Sequence, residues 1–315
     1  MQIRTLGRSG LKVSRLCFGT LTMSPLQRNL SPEEGAALLR YAYDRGVRFL
    51  DTADLYGTYP HIRLALEGGA SDYVISTKAY CYDRETAQAA LERAFRGLGR
   101  DYVDLFMLHE QESLYTLRGH EEALVYLAEQ RDRGHIGAVG VSTHFRACVA
   151  AVPRFGMIDV IHPLINIEGI GIQDGTREEM EQAIAAARDR GIGIFAMKPL
   201  GGGHLIASNA AALRYALDNP LLDAIAIGMQ STAEIDANVA CFNDDEDGPA
   251  RLEALRGRQR RMMVHDWCEG CGRCAARCRQ HAIEIVDGRA SIDQAKCVFC
   301  GYCARACPQF CIKVV

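Results

Sequence analysis

Short apolar runs alternate with amphipathic stretches of helical length along the first 243 residues of the chain. The apolar runs occupy residues 15–19, 47–50, 73–77, 102–108, 136–141, 158–161, 192–197 and 222–227, and helical patterns fall between them at 32–45, 85–98, 121–133, 177–190 and 207–217. Strands that are apolar throughout are covered on both faces, so the alternation predicts a parallel sheet with helices on its outer side. Three helix-to-strand joins repeat: Asp44-Arg45-Gly46, Asp132-Arg133-Gly134 and Asp189-Arg190-Gly191. In each, a basic residue lies in the last helical turn, glycine supplies a left-handed stop, and an apolar strand follows. Eight strand candidates within residues 1–243 fit an α/β fold of the (β/α)8 TIM-barrel kind. No G-x-G-x-x-G follows the first of them, which weakens a doubly wound sheet. Residues 1–13, with the turn Gly7-Arg8-Ser9-Gly10, read as a hairpin closing the barrel floor.

The pattern changes after residue 243. Asn243-Asp244-Asp245-Glu246-Asp247-Gly248-Pro249 is a charge run closed by Gly-Pro, a solvated turn rather than a metal site. Residues 250–263 then read as a basic linker helix whose Arg251, Arg256, Arg258, Arg260 and Arg261 form a solvated face or, as the alternative, dock an acidic partner. Residues 244–263 thus join the barrel to a small domain over 264–315.

That small domain holds eight of the thirteen cysteines in two runs, Cys268, Cys271, Cys274 and Cys278, then Cys297, Cys300, Cys303 and Cys307. Each run reads C-x2-C-x2-C-x3-C, and a constant shift of 29 residues superposes them, which makes an internal repeat. Three cysteines so spaced in a tight turn can hold three irons of a cubic cluster, with the fourth thiolate coming from elsewhere. Tetrahedral zinc usually takes two separated C-x2-C pairs and leaves the third cysteine of each run unexplained. Cys311, in the apolar run Phe310-Cys311-Ile312, reads as core packing, and Cys17, Cys81, Cys148 and Cys241 as small buried hydrophobes.

Composition adds limits. The chain has 315 residues, 48% of them hydrophobic, enough for one large core and a small one. A net charge of -3 argues against nucleic acid as the main partner, and no run approaches the ~20 apolar residues of a membrane span. The opening Met1-Gln2-Ile3-Arg4 lacks an apolar leader. These features lead us to expect a cytoplasmic protein whose thiols serve as ligands rather than disulfides.

In a barrel of this kind, chemistry sits at the C-terminal ends of the strands. Asp51, Lys78 and His109 each follow a predicted strand directly, and Tyr56 lies in the loop after Asp51. A free tyrosine, with a pKa of about 10, is a poor proton donor at neutral pH. Lys78 within hydrogen-bond reach would stabilise the phenolate, with Asp51 holding Lys78 charged and oriented. Tyr56 then becomes a general acid for a carbonyl oxygen, and His109 could orient that carbonyl or share the proton.

The barrel resembles an aldo-keto reductase over residues 1 to about 240. The resemblance rests on Asp51, Tyr56, Lys78 and His109 in the family's order, on Arg4-Thr5-Leu6-Gly7, on Gly19-Thr20, on Val139-Gly140-Val141-Ser142 and on Lys198-Pro199-Leu200. Residues 264–315 resemble a bacterial two-cluster ferredoxin. That likeness implies interleaved ligand sets for two 4Fe-4S clusters: Cys268, Cys271, Cys274 and Cys307 for one, Cys297, Cys300, Cys303 and Cys278 for the other. Arg279 stands where the first run would usually have proline.

The barrel departs from its family where a nicotinamide cofactor would bind. By that resemblance the cofactor-binding positions are Gly19, Thr20, Ser142, His162, Asn166, Met197, Lys198, Leu200, Gly228, Glu234 and Asn238. Met197 replaces the tyrosine that stacks on nicotinamide, His162 replaces the glutamine that binds its carboxamide, with Asn166 nearby to serve instead, and Thr143 replaces an asparagine. Gly228 and Glu234 stand where basic residues meet a 2'-phosphate, while Asn238 is retained. A carboxylate at Glu234 disfavours NADPH and leaves NADH open. The glycine run Gly201-Gly202-Gly203 would let a backbone loop approach a pyrophosphate, or serve as a flexible lid.

Together these readings predict an iron-sulfur oxidoreductase interconverting a small-molecule carbonyl and alcohol. Two clusters would pass electrons between the pocket and a one-electron carrier such as a small ferredoxin. The competing readings are an electron-transfer or redox-sensing protein with a non-catalytic barrel, and an NAD(P)H-dependent reductase with structural clusters.

Overall fold

At the three Asp-Arg-Gly joins the backbone turns left-handed, with φ of 87° at Gly46, 82° at Gly134 and 76° at Gly191. Each turn ends a helix and delivers the chain to the next strand. The structure, a computed structural model, describes residues 1–255 and 260–315.

A hairpin of β1 (Ile3–Thr5) and β2 (Lys12–Ser14) precedes the barrel. The barrel strands are β3 (Leu16–Gly19), β4 (Phe49–Asp51), β5 (Val74–Ala79), β6 (Val103–Leu108), β7 (Ile136–Thr143), β8 (Val160–Pro163), β9 (Gly193–Met197) and β10 (Ala224–Gly228). They pair in parallel in chain order, and β10 closes on β3. The eight expected strands and the expected helices therefore form. The helices lie outside, among them Pro32–Asp44, Arg84–Leu98, Glu121–Asp132, Arg177–Arg188 and Asn209–Asp218. Capping boxes at Ser31/Glu34, Asp83/Thr86 and Thr176/Glu179 start three of them.

The barrel interior is filled by Cys17, Phe49, Leu105, Met107, Val160 and Phe195, with the Phe49 and Phe195 ring centroids 5.0 Å apart. Leu6 of the hairpin plugs this core from below. Gly7 is required there, since a Cβ would fall 2.1 Å from the Gly193 nitrogen. The hairpin closes the floor, as expected.

The linker differs from expectation. A helix spans Gly248–Ala254, but Met262–Val264 forms β11, antiparallel to β14 (Ile312–Val314). Tertiary pairing with the apolar C-terminal strand overrides the helical pattern there. Arg256 and Arg258 of the expected basic helix lie outside the described residues. Arg251 pairs with Asp247 at 2.7 Å, one turn away.

The 29-residue repeat is visible in the backbone. The short helices Arg273–Arg277 and Tyr302–Ala306 begin after Gly272 and Gly301, with φ of 74° and 79°. His281 and Phe310 repeat a positive φ, at 49° and 45°. A hairpin of β12 (Ile283–Val286) and β13 (Arg289–Ile292) completes the small domain. Among the described residues, no helix is long and apolar enough to cross a membrane.

Candidate active site

Parallel strands put all their C-terminal ends on one rim. In register, Gly19 lies beside Asp51 and Asp51 beside Ser76, with Lys78 two residues further along β5. His109 follows β6, its backbone N–H donating to the Ala79 oxygen at 3.0 Å. A one-turn helix, Asp54–Tyr56, closed by Gly57 at φ 65°, brings Tyr56 back over the rim. Asp54 anchors that turn through Arg93 at 2.8 Å.

Lys78 and Asp51 form a buried ion pair. Lys78 Nζ donates to both Asp51 oxygens at 2.7 and 2.8 Å and to the Thr52 carbonyl at 2.9 Å. Burial opposes ionisation of Asp51, but Lys78 and His162 hold its carboxyl well below the usual carboxylate range. His162 Nε2 is 3.7 Å from Asp51, its ring stacked on Phe195 and its Nδ1 donating to the Phe195 oxygen at 2.6 Å.

Tyr56 differs from expectation. Lys78 spends its hydrogen bonds on Asp51 and Thr52, and stands 5.0 Å from the Tyr56 ring centroid. Burial, then Asp51, Glu110 and Tyr80, push the phenol well above 10. The expected lowering by Lys78 is absent because Asp51 already neutralises that charge. Tyr56 therefore stays protonated across the neutral range.

His109 lies between two tyrosines, edge-on to Tyr56 with centroids 5.9 Å apart and stacked on Tyr80 at 4.6 Å. Burial, with Lys78 adding to it, lowers its pKa to about 3, so the ring is neutral. Its Nδ1 is buried without a hydrogen-bond partner among the described residues, an arrangement that folded proteins seldom leave unmet.

A cavity of about 320 Å³ opens beside this group and takes Asp51 and Tyr56 into its wall. Of the expected cofactor positions, Gly19, His162, Met197, Lys198, Leu200, Gly228, Glu234 and Asn238 line it. Glu234 accepts from the Gln230 nitrogen at 2.7 Å, and Asn238 donates to the Glu234 carbonyl at 2.8 Å. Thr20, Ser142 and Asn166 do not line it. Thr20 meets Thr58 at 2.9 Å, and the Ser142 hydroxyl accepts from the Glu110 nitrogen at 2.9 Å. Asn166 spends its amide on its own loop, accepting from the Ile170 nitrogen at 3.0 Å and donating to the Ile170 oxygen at 2.9 Å. It is turned away from the carboxamide role expected of it.

The small domain docks on this rim. Phe310 is buried in an apolar cluster with Leu164, Ile170, Met197 and Leu205. Lys313 and Val314 lie against the glycine run, whose three residues have φ of 58°, 65° and 92°. A Cβ on Gly203 would fall 2.5 Å from the Val314 oxygen. Those glycines thus admit β14, and Gly202 and Gly203 also line the cavity. His204 Nε2 donates to the Ile312 oxygen at 3.0 Å, and Arg305 pairs with Glu168.

Within that domain cysteines of the two runs lie near one another. Cys307 lies within electrostatic reach of Cys268 and Cys274, and Cys278 within reach of Cys297. Backbone N–H groups point at thiols, Ala282 to Cys278 at 3.3 Å and Ala290 to Cys268 at 3.5 Å. Thiols with backbone donors aimed at them have the chemistry that iron-sulfur ligation uses. Cys311 is buried as expected, but its Sγ also lies 3.4 Å from that of Cys307.

Sequence reasoning missed Tyr80, Glu110, His144, Phe310 and Lys313. Lys313 alone left a signal, a single charge in the apolar run Phe310 to Val315.

The model of the aldo/keto reductase family matches residues 15–210, and that of a 4Fe-4S dicluster domain matches residues 262–308. L-galactose dehydrogenase of Arabidopsis thaliana is 24% identical over 307 residues, covering 81% of this chain and 94% of its own. The 6-dehydroglucose reductase of Novosphingobium aromaticivorans is 26% identical over 289 residues, covering 84% and 89%. An aldo-keto reductase from Bacillus halodurans, solved in its holo form, shares the fold with a TM-score of 0.66 at 20% identity, covering 80% and 96%. The closed barrel and the match over residues 15–210 make this chain a member of the aldo/keto reductase family, an oxidoreductase that also carries a 4Fe-4S dicluster domain.

Proposed function

We propose that this protein interconverts a small-molecule carbonyl and its alcohol, with electrons passed through two 4Fe-4S clusters. The observation that carries the reading is the docking of Phe310 and Lys313, which follow Cys307, onto the rim that holds Tyr56. The two cages would be Cys268, Cys271, Cys274 and Cys307, and Cys278, Cys297, Cys300 and Cys303. Each cluster passes one electron at a time. Reducing a carbonyl takes two electrons and two protons. Tyr56 donates the proton that ends on oxygen, and water entering the cavity supplies the one on carbon. Asp51 and Lys78 hold the rim polar and rigid, and neutral His109 accepts or donates a hydrogen bond to the substrate oxygen. The electron partner is a one-electron carrier of ferredoxin type.

A second reading, hydride transfer from NADH, is favoured by the cavity's extension from Tyr56 to Glu234 and Asn238. Anaerobic protein with intact clusters separates the two. Reduced clusters should lose their paramagnetic resonance signal when aldehydes are added, and Tyr56→Phe should slow that loss. Signals that persist with every aldehyde, beside NADH-driven turnover, would overturn the cluster route.

A further inference from the structure

The cavity wall carries two lysines from different halves of the protein. Lys198 follows β9, with φ of 59°, and its Nζ lies 2.6 Å from His144 Nε2. Lys313 belongs to β14 of the small domain, is 6% exposed, and donates to the Phe310 carbonyl. Both ammonium groups sit over the same ring: Lys313 Nζ is 3.1 Å and Lys198 Nζ 5.3 Å from the Phe310 centroid. Both residues line the cavity that holds Asp51 and Tyr56.

Neither lysine forms an ion pair with a carboxylate among the described residues; their polar partners are His144 and a backbone carbonyl. Lys78 differs, being matched by Asp51. Buried cations are ordinarily paired, because removal from water costs several kcal/mol per ion. Glu110 is the carboxylate whose field reaches both lysines, and its Oε2 accepts from the Tyr80 hydroxyl. Burial lowers the Lys198 pKa to about 8, and burial with the nearby Lys198 charge holds Lys313 well below 10.5, as expected of buried amino groups with no anion against them. An imidazole, a carbonyl and a π face stabilise an ammonium less well than an anion would.

We infer that Lys198 and Lys313 form an anion subsite that the barrel and the cluster domain complete together, and that the substrate carries a carboxylate. This rests on the carbonyl–alcohol reading above and adds the substrate's class. It also gives the docked domain a role in binding, since half of the subsite is absent without it.

Calorimetric titration of the intact-cluster protein with 4-formylbenzoate and with its methyl ester tests the inference. A charge-assisted bond favours the carboxylate by about 10- to 100-fold. Lys198→Gln and Lys313→Gln should each remove most of that preference while leaving binding of the ester within about 2-fold. Lys198→Gln lies in the barrel, so it remains informative if Lys313→Gln sheds its iron. Equal binding of acid and ester, or no binding of the acid, overturns the inference. Inorganic pyrophosphate that binds more tightly than the acid, and loses that affinity in both variants, assigns the subsite to a dinucleotide instead. A shifted cluster potential in Lys313→Gln with the preference intact makes Lys313 a counter-ion of the cluster only, which also overturns it. If the preference holds but neither aldehyde is turned over, the carbonyl–alcohol reading fails and the subsite stands.

Discussion

Phe310 of the cluster domain meets His144 of the barrel edge-on, with centroids 6.0 Å apart and planes at 89°. The ring arrives there from Cys307 through a turn in which the Phe310 N–H donates to the Cys307 carbonyl at 3.2 Å. One short segment thus joins a cysteine of the repeat to the rim of the barrel, and the two halves share one cavity wall.

Tyr56→Phe should remove a proton donor without disturbing packing, because Tyr56 is half-buried and lines the cavity. Carbonyl turnover should fall by about 100- to 10,000-fold. Steady-state rates beside an unchanged circular dichroism spectrum would check this.

Asp51→Asn leaves the Lys78 charge buried and unmatched. We expect a loss of about 3–5 kcal/mol in denaturant unfolding, much of it recovered when Lys78→Met is combined with Asp51→Leu. The pH dependence follows from the same pair. Asp51 is held below its unfolded value of about 3.9, so its contribution is present above that pH and is lost as pH falls through the folded value.

His109 acts in a different window. Its folded pKa, lowered to about 3, lies below the unfolded value of about 6.5. As pH falls below 6.5 the unfolded chain gains a proton that the folded chain refuses, and stability drops by about 1.4 kcal/mol per pH unit. Unfolding between pH 6.5 and 5.5 should show a shallower slope in His109→Gln than in the parent.

Cys278→Ser should cost the cluster held with Cys297, Cys300 and Cys303 and spare the other, although Cys278 belongs to the first sequence run. Iron content should fall by about half. Cys311→Ser should retain both clusters. Iron analysis with paramagnetic resonance distinguishes this from loss of the cluster whose other cysteines share that run.

Gly203→Ala should displace β14. A left-handed backbone costs an alanine about 1–2 kcal/mol, and the clash with the Val314 oxygen adds to it. Gly10→Ala, at φ 73° with nothing within 4 Å of its Cβ, carries the backbone cost alone. Thermal unfolding and iron retention should therefore suffer more in Gly203→Ala.

The eight strands, the glycine-stopped joins and the cysteine repeat were legible because each is local: a run of apolar side chains, a residue tolerant of positive φ, a fixed spacing. Asp51, Lys78 and His109 could be assigned to one rim for the same reason, since parallel strands bring their C-terminal ends together. Position along the chain could not reveal that Asp51 would absorb the charge of Lys78, or that Asn166 would bond its own loop. Those outcomes depend on which atoms lie within 3 Å of each other in space. The 250–263 segment was misread because Met262–Val264 finds a partner strand some 50 residues further on, and pairing outweighs helical periodicity.

The sequence by itself determined a barrel of parallel strands, a repeated thiol spacing and a set of four polar residues, since periodicity and spacing are written in the order of the residues. Only the tertiary structure decided how the two halves meet. The docking depends on Phe310, Lys313 and Val314 fitting over Gly202 and Gly203, where the absence of side chains lets two backbones approach. That close approach buries Lys313 beside Lys198 and makes the cluster domain part of the wall of the barrel's cavity.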